Sequence, residues 1–275
     1  MTPALAGVEA VFLVWAAGPA TVSDVVARLA RSVRRVVFLS SPHQTPHPFF
    51  RQPNSMAALH ADIERELATS GIPSVILRPG MFAANTLHWW APQIRAGDEV
   101  RWPYGAVETA PIDERDIAAV AVRALSEASL AGGDYVLTGP AALSHARQVA
   151  VIGEVLGRRL AFHELSPEEF RRETAASWPR PVVDMLLAAW EAAVGHPAYV
   201  TTTVADLTGA PACSFQEWVG AHADSFRTGG GRVPPSSIRF EAQHAFRGRC
   251  YRGWRHEHGA RASDGAGKHR ASRGG

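Results

Sequence analysis

Between residues 8 and 78 the chain alternates short apolar runs with segments of helical period, and this alternation restricts its fold more than any other feature. Val8 to Trp15 is almost wholly apolar and rich in β-favouring residues, as expected of a strand covered on both faces. In Val22 to Val33 the apolar positions recur three and four apart, which predicts a helix. Arg35 to Ser40 reads as a second buried strand. Ser55 to Ser70 reads as a second helix, with Met56, Leu59, Ile63 and Leu67 on its buried stripe and Gly71 as its stop before the strand Ser74 to Arg78. Between them, the prolines of Pro42 to Pro48 break regular structure. Strands alternating with helices of this length imply right-handed crossovers and a parallel sheet.

Beyond residue 80 the alternation ends. Phe82 to Arg95 is predicted helical, and Gly97 to Tyr104 is predicted to form a turn and a short strand. Ala110 to Asp116 brings acids to the start of an alanine-rich helix that runs to about Glu127, where the positive end of the helix favours them. Tyr135 to Thr138 is a strand, and Ser144 caps a helix that ends at Gly157. Ser166-Pro-Glu-Glu169 fits a capping box, and Phe215 to Phe226 a closing amphipathic helix. From Thr228 onward no apolar period survives, which predicts a disordered tail. Its aromatic residues Phe240, Phe246, Tyr251 and Trp254 interleave with arginines, so an RNA-binding arm is the alternative, and a shifted reading frame a third.

Charge divides along the same line. Residues 228 to 275 hold ten Arg or Lys against three acids, leaving 18 basic against 23 acidic residues in 1 to 227, so the basic balance belongs to the tail and not to the body. This argues against nucleic acid as the partner of the body. No apolar run approaches the roughly 20 residues a membrane helix needs, and no basic segment precedes an apolar core at the start, so no membrane association and a cytoplasmic location are expected. Cys213 and Cys250 cannot make a metal cluster by themselves and are expected as reduced thiols, with no metal site.

Several pieces in order carry a resemblance: Val-Phe-Leu-Val14, Val-Val-Phe-Leu-Ser-Ser41, His60-Ala-Asp-Ile-Glu64, Ser-Gly-Ile-Pro73 and Leu-Arg-Pro-Gly80-Met-Phe-Ala-Ala-Asn85. It continues through Ala110-Pro-Ile-Asp-Glu-Arg-Asp-Ile-Ala118, Leu-Thr-Gly-Pro140 and Gly-Arg-Arg159. Together these resemble the NmrA-like, atypical short-chain dehydrogenase/reductase family over about residues 5 to 227. The resemblance implies an α/β fold: a partial doubly wound, Rossmann-like parallel sheet with a smaller mixed α/β substrate region. The expected division is a truncated NAD(P)-binding part in 1–80, a substrate-binding region with closing helices in 81–227, and the basic tail in 228–275. Members open with a strand and a Gly-x-x-Gly-x-x-Gly turn that brings pyrophosphate to a helix N-terminus. Gly7 and Gly18 do not form that turn, and Val8 to Trp15 resembles the family's fourth strand, so strands one to three are expected to be missing and an apolar edge to be left uncovered.

The resemblance also implies a nicotinamide cofactor, NADP or NAD, and hydride transfer to a small aromatic or quinone-type acceptor. A non-catalytic nucleotide-sensing regulator and an inactive fragment are the alternatives, and the uncovered edge implies either an incorrectly shortened gene product or a chain that must form a homodimer or misfold. The family's Tyr proton donor and the Lys four residues later fall on Met56 and His60, so His60 is left as a ribose ligand, an acid, or a polar residue at a helix edge. His60 and Tyr104 are the catalytic candidates. By topology Trp15, Ala16, Ser40, Ser41, Pro79, Gly80, Met81 and Phe82 end or follow parallel strands, where open α/β sheets bind ligands, and with His60 they form the expected cofactor set. Trp89, Trp90, Trp102 and Tyr104 suit stacking on a flat substrate, or core and dimer contact.

Overall fold

The computed structural model describes residues 5–227. Along the chain, β1 (Ala10–Val14) leads through a 3-10 turn into α1 (Val22–Ser32), then β2 (Arg35–Leu39), α2 (Ser55–Ser70) and β3 (Ser74–Pro79). Next come α3 (Asn85–Trp89), α4 (Ala91–Ala96), β4 (Glu99–Pro103), β5 (Glu108–Thr109), α5 (Glu114–Ser126), β6 (Asp134–Leu137) and β7 (Leu143–Ser144). The last stretch holds α6 (His145–Leu156), β8 (Ala161–Leu165), α7 (Pro167–Thr174), α8 (Arg180–Ala193), α9 (Thr203–Thr208), α10 (Phe215–Ala221) and α11 (Ala223–Phe226).

Four of these strands form one parallel sheet in the order β1-β2-β3-β6, so β6 completes a sheet begun by the first three strands. The sheet is covered on both faces, as parallel sheets require. On one side Val36 and Phe38 pack with Val26, Leu29, Ile63 and Leu67 from α1 and α2. On the other, Val37, Leu39, Val75 and Leu77 meet Ile117 and Val120 of α5 and Val204 of α9. Each such fully buried aliphatic side chain contributes about 2 kcal/mol. Two smaller pairs, parallel β4–β8 and antiparallel β5–β7, frame a third core around Trp90, Trp190, Trp218 and Phe170. β1 pairs only with β2, and no other described strand lies along its outer edge.

Helix signals hold where they are local. Gly71 closes α2 with φ +71, and Gly157 closes α6 with φ +68. Ser144 caps α6 by accepting the Arg147 N–H, and Ser166 with Glu169 makes the reciprocal capping box. The single helix expected over Phe82 to Arg95 is instead α3 and α4, which meet at Trp90 because Pro92 in the first turn of α4 has no N–H to continue α3. The closing helix also divides, at His222, whose ring stacks on Trp218 at 4.3 Å and whose Nδ1 lies 2.8 Å from the Trp218 carbonyl. No helix among the described residues is long and apolar enough to cross a membrane. Cys213 is a free thiol, while Cys250 and the expected disordered tail lie outside the described residues.

Candidate functional site

Strand β3 ends at Pro79, and the next residue has no side chain. Gly80 donates its N–H to the Leu137 carbonyl at 2.8 Å, which ties the carboxyl end of β3 to that of β6. Beside it opens a small cleft, open to solvent on one side. Gly80 and Met81 form one wall, and Glu108, Thr109, Ala110 and Thr138 another. His47, Phe49 and Phe50 come from the proline-rich loop, and Ala198 and Tyr199 from the segment after α8. This is the strand end at which open parallel sheets bind ligands.

The segment 195–201 crosses the cleft as a strap held at three places. His47 accepts the Phe49 N–H on Nδ1 at 3.3 Å, which leaves the proton on Nε2, and Nε2 donates to the Pro197 carbonyl at 3.0 Å. Glu108 accepts the Ala198 N–H at 3.4 Å. Thr201 donates its N–H to the Thr138 hydroxyl at 2.9 Å and its own hydroxyl to the Val136 carbonyl at 3.0 Å. Gly195, at φ +76, lets the chain turn into the strap. Burial lowers the His47 pKa, and His196 nearby lowers it further against the bond to Pro197, so the imidazole is neutral near pH 7.

Hydroxyls in the cleft are mostly committed. Thr109 accepts from Gln148 Nε2 at 2.8 Å, and Thr138 donates to the Gly139 carbonyl at 3.0 Å. The Tyr199 hydroxyl has no hydrogen-bond partner among the described residues. Behind the cleft, Gly139 lies against Pro111 so closely that a Cβ there would sit 2.0 Å from the Pro111 oxygen.

On the α2 side of the sheet lies a separate polar cluster. Arg78, 3% exposed, is bidentate to Glu64 at 2.8 and 2.8 Å and to Asp134 at 2.6 and 2.9 Å, and also donates to the Ser41 carbonyl at 3.0 Å. Burial opposes its charge, but the bonds to Asp134 and Glu64 outweigh it and raise its pKa. The buried Ser40 hydroxyl donates to Glu64, and Ser41 lies 3.3 Å from His43 Nδ1. His60 stands edge-on to Phe38 at 5.6 Å, with no partner for Nδ1. Burial, reinforced by His43 and Arg78, lowers its pKa to about 4, so it is neutral near pH 7.

The structure therefore brings only part of the expected set together. Gly80 and Met81 line the cleft. Pro79 is buried at the end of β3, and Phe82 pairs with Ile112 beside the α5 core. Ser40, Ser41 and His60 lie in or against the cluster around Arg78, and Met56 on α2 is half-buried. Trp15 is buried with its indole N–H on the Ala17 carbonyl at 2.6 Å, while Ala16 is exposed. Tyr104 packs against the tryptophan core with φ +54, and burial, then Glu191, raises its pKa. Neither His60 nor Tyr104 is among the described residues that line the cleft. Trp89 and Trp102 stack on each other at 5.5 Å, and Trp90 meets Trp102 edge-on at 6.0 Å, so these rings fill core. Asp113 caps α5 and grips Arg115 at 2.6 Å, Glu114 receives the Trp218 indole N–H at 3.0 Å, and Asp116 accepts the Cys213 N–H at 2.8 Å. No grouping that could hold a metal ion occurs among the described residues. Sequence reasoning did not single out His47, Phe49, Phe50, Glu108 or Tyr199; the run of prolines before Phe49 was the one available signal.

No protein-family model matches the chain. It is 37% identical to (4-alkanoyl-5-oxo-2,5-dihydrofuran-3-yl)methyl phosphate reductase of Streptomyces griseus, over 81% of this chain and 79% of that protein. It is 30% identical to NAD(P)H azoreductase of Xenophilus azovorans, over 81% and 78%. Its fold matches the NADPH complex of an NADPH-dependent quinone oxidoreductase from Escherichia coli with a TM-score of 0.66, 25% identity and coverage of 78% and 77%. The fold alone extends to the transcriptional regulator NmrA, solved with NAD, at 17% identity and a TM-score of 0.56 over 78% and 72%.

Proposed function

This chain belongs to the NmrA-like family of NAD(P)-binding reductases, and on that premise we propose that it moves hydride from a nicotinamide cofactor to a small flat acceptor in the cleft beside Gly80. The observation that carries this reading is the cleft's position at the carboxyl ends of β3 and β6, with bare backbone on one wall and aromatic rings on another. Gly80, Met81 and Thr138 are the residues that meet the nicotinamide ring in this reading. Reduced nicotinamide, when bound, supplies the hydride. The acceptor is a conjugated carbonyl or quinone, a class consistent with the substrates named for the relatives. Phe49, Phe50 and Met81 exclude water and offer flat surface, and Tyr199 holds a hydroxyl proton that passes to the acceptor oxygen.

Titrating NADPH into the purified chain while following nicotinamide fluorescence tests the reading. Saturable binding, followed by oxidation when a naphthoquinone is added, is expected; no binding overturns it. A second reading, a nucleotide sensor without turnover, draws on the two positions of α2 at which the resemblance places the proton donor and its lysine, where Met56 is a thioether and His60 is neutral and buried. Binding without oxidation across a quinone panel selects that reading.

A further inference from the structure

The cleft has a charge character that its shape does not reveal. Glu108 is half-buried in its wall, fixed by β5, whose two residues pair with β7 as Glu108 opposite Ser144 and Thr109 opposite Leu143. Its one hydrogen bond among the described residues, from the Ala198 N–H, is long at 3.4 Å, so most of the carboxylate's acceptor capacity remains unused there. No Lys or Arg is among the described residues lining the cleft. The nearby imidazole, His47, has both ring nitrogens engaged with backbone and is neutral near pH 7. His196, 6.2 Å from His47 ring to ring, is exposed and outside the lining. Arg78 is committed to Glu64 and Asp134 on the α2 side of the sheet. A carboxylate in a partly desolvated, aromatic cleft with no opposing cation imposes a negative field on whatever enters.

We propose that Glu108 makes this cleft select uncharged or cationic flat aromatic acceptors and reject acceptors bearing phosphate or carboxylate. The proposal rests on the hydride-transfer reading only for the word acceptor; the selection itself is a property of the empty walls. It separates this chain from the Streptomyces griseus relative, whose name specifies a phosphate ester. Phe49, Phe50, Met81 and Tyr199 supply the attraction common to all flat ligands, and Glu108 supplies the discrimination. Repulsion is screened by salt, so the discrimination falls as ionic strength rises.

Three ligands sharing one ring test it: 1-naphthol, 1-naphthyl phosphate and protonated 1-naphthylmethylamine, each measured by equilibrium dialysis against the whole chain at low salt. At least about tenfold weaker binding of the phosphate than of the naphthol is expected, with the amine equal to the naphthol or tighter. In Glu108→Gln the ratio of phosphate to naphthol constants closes several-fold and the amine advantage over naphthol disappears; Glu108→Asp, which keeps the charge, retains the native order. Circular dichroism of both variants establishes that they fold. Equal binding of all three ligands by the native chain, or an unchanged phosphate gap in a folded Glu108→Gln, overturns the proposal. Because dialysis needs no cofactor, failure of NADPH oxidation sinks the hydride-transfer reading and leaves this result to stand or fall separately.

Discussion

Arg78 shows how unequal two ion pairs on one guanidinium can be. Glu64 is 11% exposed at its side chain and Asp134 48%, so removing Glu64 leaves half the fork unpaired in the interior, while removing Asp134 leaves it facing water. Glu64→Ala is expected to cost about 3 kcal/mol and Asp134→Ala about 1 kcal/mol or less, read from urea midpoints at constant slope. His60 and His145 set a pH limit on the same fold. Burial holds both at a pKa of about 4 against 6.5 in the unfolded chain, so the unfolded state binds the extra protons. Stability is therefore full above pH 6.5 and is lost as pH falls from 6.5 through about 4. At about pH 5 each histidine should have removed about 2 kcal/mol, and His60→Asn should flatten the slope; a stability constant across that range refutes the assignment. Tyr199→Phe should lower turnover of a quinone about 100-fold with NADPH affinity unchanged, and abolish the solvent isotope effect, if its hydroxyl supplies the proton.

At the scale of elements, legibility follows how local the cause is. Helix α2 was readable in its bounds because its stop at Gly71 is local, while its buried stripe holds Ile63 and Leu67 as expected and His60 where Met56 and Leu59 are only half-buried. The strap was not readable, because its anchors His47, Glu108 and Thr138 lie 150, 90 and 63 residues from their partners, and nothing in 195–201 has a period. The cleft inherits that difficulty, being assembled from separate segments of which Gly80, Met81 and Thr138 alone stand at a recognisable strand end. Tryptophan density near α3 was visible, but whether such rings face ligand or one another depends on α8, which supplies Trp190. Strand β8 escaped notice because three of its five residues are exposed and mixed in character. Glycine at 139 belongs to this scale as well, since it sets how closely the end of β6 meets Ala110 and Pro111. Gly139→Ala must displace backbone and is expected to cost about 2 kcal/mol and weaken naphthol binding. Gly80→Ala, whose Cβ would find its nearest neighbour at 3.6 Å, should leave stability within about 0.5 kcal/mol; equal melting losses for the two would refute the packing argument.

For the whole molecule, the β1 edge of the sheet is where we expect copies of the chain to meet. Among the described residues β1 pairs with β2 alone, and an edge position such as Ala10 can offer its outward donor and acceptor to a second strand. Arg34 donates its N–H to the Glu9 carbonyl at 2.7 Å, so the polar groups of Glu9 face β2, and by strand alternation those of Ala10 face the outer edge. Ala10→Pro removes an outward N–H and none of the β1–β2 ladder, which is the position at which an edge strand tolerates proline. We expect the native chain to self-associate reversibly over a dilution series in sedimentation velocity, and Ala10→Pro to weaken that association about tenfold with the melting temperature held. If the native chain sediments as a monomer throughout, or if the proline variant associates equally well, the edge is not the contact. The net charge favours this route over end-to-end stacking of bodies: residues 1 to 227 carry more acids than bases, so their surfaces repel at long range, while backbone pairing along an apolar strand is short-ranged and insensitive to that repulsion. Raising the salt concentration should therefore strengthen the association, the opposite of what a contact between the acidic body and the basic tail of another copy predicts.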